Sequence, residues 1–217
     1  VTLTVQAQKN SFTAAEQQQI SIATPGLFER SNVFNIDLKI LSAKEYSFPL
    51  PVGKAMLKNN LSLEITSVKG DIVLAMFSGV VRLARKTPQY GNVIVIRHDN
   101  GLETVYAFNE QNHVKVGQRV RAGQKIATVG GQDDRIFCLF SIMVNGGGFN
   151  PTLIVEPRSH RLQKYTIQCR KDGKFVDVSI LQAEKKTASS LDPDDVKNDP
   201  FENSQTFKLD LEKIEKE

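Results

Sequence analysis

Residues 77–108, FSGVVRLARKTPQYGNVIVIRHDNGLETVYAF, decide the fold. Three runs within them, SGVVRLARK (78–86), GNVIVIRHDNG (91–101) and LETVYAF (102–108), are dense in β-branched and aromatic residues and are separated by turn residues, so each reads as a strand. Asp99-Asn100-Gly101 between the last two is a hairpin signal. Upstream, NVFNIDLKIL (32–41) sets Phe34, Ile36, Leu38 and Ile40 on one face and Asn35, Asp37 and Lys39 on the other, the period of a half-buried strand. Downstream, VKVGQRVRAGQKIATVG (114–130) carries glycines at 117, 123 and 130 with Val and Ile between them, so the chain must reverse every few residues. DRIFCLFSIMVNGG (134–147) is a further strand running into a glycine turn. KYTIQCRKDGKFVDVSI (164–180) reads as a second hairpin around Asp172-Gly173, beyond the Asn150-Pro151 break. No strong helical pattern occurs between residues 30 and 182, which predicts a mainly β protein.

The chain has 217 residues, 40% of them hydrophobic, with no Trp. That length buries one good core with appendages. No apolar run approaches the ~20 residues a membrane-spanning helix requires. The opening VTLTVQA resembles the end of a secretory signal with cleavage after Ala7, and no Cys follows Ala7 to take a lipid anchor. Residues 191–217 hold nine Asp and Glu against four Lys and Arg, so a net charge of +4 divides into an acidic tail of −5 and a body of +9. The basic residues are scattered and lack interleaved aromatics, which argues against a nucleic-acid surface and leaves anionic cell-wall polymers or an acidic protein as partners. Cys138 and Cys169 stand 31 positions apart. Alternation about positions 137 and 139 turns Cys138 toward the core, which disfavours a bridge.

Taken in order, residues 77–108, 114–130 and LFSIMVNGGGFNP (139–151) resemble the lysostaphin/LytM-type zinc endopeptidases that cut peptidoglycan cross-bridges. The resemblance covers about residues 46–155. It implies an antiparallel β-sheet domain of duplicated hybrid-motif type with a long groove, flanked by extra N-terminal strands, a C-terminal β-hairpin and an acidic tail. The implied organisation is a signal-peptide remnant (1–7), a strand-rich extension (8–45), the LytM-like domain (46–155), a hairpin extension (156–182) and the tail (183–217).

Such enzymes hold zinc with a His and an Asp four residues apart and the second His of a His-x-His pair, while further histidines activate the water. Carried onto this chain, the first pair falls on Asn60 and Glu64; a competing register on Ser67 and Asp71 fits worse. The His of the family's Tyr-x-His segment falls on Phe108, after Tyr106-Ala107. The His-x-His pair falls on Phe137 and Leu139. Phe and Leu have no lone pair to give a metal, and one carboxylate does not hold zinc against water. His98, His113 and His160 share no ligand spacing. The sequence therefore predicts no catalytic residue, no metal and no cofactor, and a degenerate groove built on Asn60, Glu64, Tyr106, Phe108, Phe137 and Leu139 that acts by binding.

Family members that have lost their ligands are similar in serving as activators of cell-wall amidases or as scaffold subunits. The implied partner is an envelope protein or cell-wall hydrolase, with peptidoglycan a further candidate, in the periplasm or outer envelope of a double-membraned bacterium. Two alternatives stay open: an active peptidoglycan metallopeptidase with relocated ligands, and a carrier or phosphocarrier hybrid barrel, for which neither a modifiable Lys at a hairpin tip nor a His pair is found.

Overall fold

A computed structural model describes residues 12–181; the expected signal remnant (1–7) and acidic tail (183–217) lie outside the described residues. The chain forms a short helix α1 (Ala14–Gln18) and strands β1 (Val33–Asp37), β2 (Lys54–Lys58), β3 (Ser62–Thr66), β4 (Ile72–Leu74), β5 (Gly79–Thr87), β6 (Gly91–His98), β7 (Leu102–Asn112), β8 (Arg119–Val120), β9 (Lys125–Val129), β10 (Phe137–Val144), β11 (Gly147–Phe149), β12 (Thr166–Asp172) and β13 (Phe175–Ile180). The main sheet runs β2-β3-β10-β7-β6-β5-β8, with β11 on β10 and with β9 joining β4 to β7. All its pairings are antiparallel. A second sheet, β1-β12-β13, is built from the N-terminal strand and the C-terminal hairpin.

Register separates the two faces of the main sheet. Leu63, Phe140, Tyr106 and Ile94 stand opposite one another across β3, β10, β7 and β6, and each is fully buried. This is the core face, and Cys138 lies on it with no solvent exposure. Cys169 is buried too, and neither cysteine is bridged. The same face holds a polar chain: the His98 Nε2 and Thr104 Oγ1 are 2.6 Å apart, the Thr104 hydroxyl donates to the Tyr106 oxygen at 2.9 Å, and the Met76 amide donates to that oxygen at 2.8 Å. Tyr106 is thus satisfied inside the core and does not reach the groove in which the sequence places it.

One residue out of step, Met56, Glu64, Leu139 and Ala107 form a row on the opposite face. A one-residue step flips a side chain across the sheet, so a core face and a groove face are read from the same strands.

The N-terminal extension is less strand-rich than its composition implies. Its described residues, 12–45, yield one helix turn and one strand, and the strand ends at Asp37 because the Asp37 carboxylate accepts the Lys39 amide at 3.0 Å, closing a turn. Ile40, expected on the core side of that strand, is consequently 76% exposed. The C-terminal hairpin turns at Gly173-Lys174, with Asp172 paired to Phe175.

Candidate functional site

The groove face has two ends. At one end, Met143, Glu103 and Arg97 share a row across β10, β7 and β6. A β-bulge at Arg82, between Val81 and Leu83, inserts one extra residue in β5. The Arg82 guanidinium is fully buried and bonds both Glu103 oxygens, at 2.7 and 3.0 Å, while Arg97 Nε donates to Glu103 Oε1 at 2.8 Å. Arg97 also pairs with Glu16 at 2.8 Å. Burying so many charges is tolerable only because they neutralise one another and are hydrogen-bonded.

Residues 12–24 are the lid over this cluster. Thr13 caps α1 through a capping box with Glu16. Arg82 then satisfies the carbonyls at the other end of the helix: it donates to Glu16 O, to Gln19 O at 2.8 Å and to Ile20 O at 2.6 Å. Ile20 packs on the apolar floor of Leu83, Val93, Val95, Val105, Ala107 and Met143. The strap leaves the face beside Gly146, whose carbonyl accepts the Ser21 hydroxyl at 2.5 Å and where a Cβ would lie 2.7 Å from the Ile22 backbone.

The other end of the face is open. Here the structure brings together four of the six residues picked out in the sequence. Glu64 stands directly opposite Leu139, Phe137 opposite Thr66, and the rings of Phe108 and Phe137 are 5.1 Å apart. Phe108 also meets Tyr90, with ring centroids 6.4 Å apart. Phe108 has φ +61°, costly for a bulky residue. Its backbone is held there by three bonds: its amide to Tyr90 O, and its carbonyl from the amides of Gly130 and Gly131. A Cβ on Gly130 would come within 2.8 Å of that carbonyl, so the glycine pair makes the approach sterically feasible. Sites that hold a strained residue against its preference are commonly functional ones.

Glu64 is nearly buried and already occupied. Arg135 donates to its Oε1, and Lys58 lies 3.3 Å from its Oε2. Arg135 arrives on a tight turn in which Gln132 and Arg135 exchange backbone bonds at 2.9 Å and Asp133 and Asp134 both have positive φ. Gly131 lets that turn close, since a Cβ there would sit 1.9 Å from Arg135 O. The Arg135 guanidinium then lies over Phe137, 5.1 Å from the ring centroid.

The remaining positions fall away. Asn60 is exposed in the β2–β3 turn with φ +54°. In the competing register, Asp71 accepts from the Ser67 hydroxyl and the Val68 amide, which close a surface turn and hold its carboxyl below the ordinary value. His98 is in the core, and His160 stacks on Phe48 at 3.9 Å. Among the described residues no group of three or more His, Cys, Asp or Glu is placed to hold a metal ion. No helix there is long and apolar enough to cross a membrane.

Arg135, Lys58 and the Arg82–Glu103 cluster went unnoticed in the sequence. Two signals were present. Arg135 precedes Phe137 by two residues, the period that keeps both on one side of a strand. Arg97 and Glu103 are equidistant from Asn100, so the predicted hairpin itself opposes them.

Among protein families, residues 58–151 match Peptidase family M23. The match takes in 94 of the 217 residues and runs from the end of β2 through β11. Murein hydrolase activator NlpD of Escherichia coli (strain K12) is 36% identical over 101 residues, 46% of this chain and 27% of its own length. Murein hydrolase activator EnvC of the same organism is 39% identical over 89 residues, 40% of this chain and 21% of its own. The matched stretch is thus less than a third of either relative. Among solved structures, the antimicrobial peptidase lysostaphin from Staphylococcus simulans superposes with a TM-score of 0.48 at 17% identity, covering 64% of this chain and 87% of that one. The M23 stretch contains both ends of the groove face; the strap over its closed end comes from outside it.

Proposed function

We propose that this M23-like domain is non-catalytic and acts by binding, as a regulator of cell-wall hydrolases or an accessory subunit of an envelope complex. One observation carries the reading: by resemblance to the family, the positions that would ligate zinc hold Asn60, Leu139 and a Glu64 whose two oxygens are engaged by Arg135 and Lys58, and a position that would activate its water holds Phe137. That donor set does not fit zinc, which takes N, S or O ligands in near-tetrahedral array. What remains is a small apolar patch of half-buried Phe108 and Leu139 laid over a buried Phe137, with cations on its rim, a surface suited to an amphipathic acidic protein segment. The likeness to NlpD and EnvC, both named murein hydrolase activators, supports assigning the partner to that class. An exported, envelope location follows from that partnership.

The test uses purified peptidoglycan sacculi. The protein alone, with or without added zinc, should release no soluble muropeptides, and should raise the release by a cognate cell-wall amidase. Release by the protein alone that vanishes with a chelator would refute the non-catalytic reading; unchanged amidase rates across the available amidases would refute the regulatory one.

A further inference from the structure

The free edge of the main sheet is β2, KAMLK (54–58), which among the described residues pairs only with β3. The Lys54 carbonyl accepts the Thr66 hydroxyl at 3.3 Å, and the Lys58 carbonyl accepts the Leu61 amide at 3.3 Å and the Ser62 hydroxyl at 3.2 Å, so both carbonyls face β3. Hydrogen-bonding direction alternates along a strand, and the amides and carbonyls of Ala55 and Leu57 therefore face outward. Met56 is 70% exposed and Leu57 39%. Such an edge is a template for one more strand. The other edges serve less well. β8 and β11 hold two and three residues, and the Leu74 amide of β4 is already bonded to Pro49 O at 2.8 Å. β1 and β13 bear Asp37 and Asp177 and no lysine. At β2, Lys54 and Lys58 bracket Met56 on the groove face; Lys58 reaches Glu64, and Lys54 has no carboxylate beside it among the described residues.

We propose that β2 takes an acidic strand from a partner protein, of the pattern acidic-apolar-apolar-apolar-acidic. Charge selects this occupant. Antiparallel β2–β2 pairing of two copies centred on Met56 would oppose Lys54 to the second copy's Lys58 twice over. The lysines that guard the edge against self-association thus admit a strand with carboxylates at the same two places. In antiparallel register the partner's acidic residues stand opposite Lys54 and Lys58, and its central residue opposite Met56. These are the non-hydrogen-bonded pairs, in which side chains approach most closely. The two remaining apolar residues stand opposite Ala55 and Leu57, exchange backbone bonds with their outward groups and cover Leu57. The added strand prolongs the row of Met56, Glu64, Leu139 and Ala107, so it borders the open end of the groove. The inference rests on the reading that this domain acts by binding, and it gives the partner's segment a chemistry and a mode of attachment.

The probe is a synthetic peptide, SELVVES, whose inner five residues carry that pattern. No hydrolase is present, so a failure here is distinct from a failure of the sacculus assay. Titrated by fluorescence anisotropy, the labelled peptide should bind the purified protein about tenfold or more tighter than SKLVVKS, and K54E/K58E should reverse the order of the two peptides. Hydrogen exchange at saturating SELVVES should show new protection of the Ala55 and Leu57 amides, while the Met56 amide, which faces β3, changes little. No binding at millimolar peptide, equal affinity for the two peptides, or binding that leaves Ala55 and Leu57 unprotected overturns the proposal. So does protection of those two amides without peptide: if it rises with protein concentration the edge belongs to a second copy, and if it does not the edge belongs to this chain.

Discussion

The two ends of the groove face are made of the same ingredients and differ in exposure. At each end a carboxylate sits between two cations: Glu103 between Arg82 and Arg97, and Glu64 between Arg135 and Lys58. Arg82 and Glu103 have no exposed side-chain surface, whereas the side chains of Arg135 and Lys58 are 58% and 45% exposed. A buried array fixes a geometry, because removing one member strands a charge away from water. An exposed array is cheap to rearrange and free to meet a partner. The strap accounts for the difference, since its helix and carbonyls complete the coordination of Arg82 and exclude water from that end alone.

The largest effect should follow from breaking the closed end. Glu103→Ala leaves the fully buried Arg82 guanidinium without its carboxylate and takes one of two carboxylates from Arg97, and should cost about 3–5 kcal/mol, read by chemical denaturation. If it costs as little as a surface substitution, the cluster is not what holds the strap.

Acidification should act next. Burial pushes His98 from its ordinary value of 6.5 down to about 4. The folded state therefore resists protonation that the unfolded chain accepts, and stability should fall as pH drops from about 6.5 toward 4, by at most ~1.4 kcal/mol per pH unit. Glu16 works lower in the range: burial raises its pKa, but the Thr13 amide and hydroxyl and Arg97 outweigh that and hold it below 4.5. Its contribution is complete above the unfolded value and is lost as pH falls through the lower folded one. Denaturation midpoints at pH 7, 5 and 4 check both, and a flat profile between pH 7 and 5 would contradict the burial of a neutral His98.

At the open end, Phe108→Ala should cost about 1–2 kcal/mol, less than the ~3–5 of a fully buried Phe such as Phe140, because the ring is only half buried. Its main effect should be weaker capture of the hydrolase partner, measured by titration. Arg135→Ala should be the mildest for stability, within about 1 kcal/mol, while reducing the salt dependence of partner binding. A large loss of stability from Arg135→Ala would erase the distinction between the two ends.

The strands and glycine turns of residues 77–151 were legible because period-two alternation and positive-φ turns are written locally. The groove positions Glu64, Phe108, Phe137 and Leu139 were legible only through the family resemblance, and the structure does bring them together. Tyr106 was misplaced because the family motif gives its position along the strand but not its face: register turns it toward Met76. The strap was invisible for a different reason. Residues 12–24 carry neither a long helical period nor an alternating one, and their place is set by Arg82 and Gly146, more than fifty residues away in sequence. Arg135 was hidden by a turn of two aspartates in the left-handed conformation, which no alternation announces.

The central claim is that the open end of the groove is a protein-binding surface and not a metal site. It is tested most directly by metal analysis of the purified chain after exposure to zinc and exhaustive dialysis. The account predicts zinc far below one ion per chain, unchanged by Glu64→Gln. One tightly held zinc per chain, lost in Glu64→Gln, would contradict it.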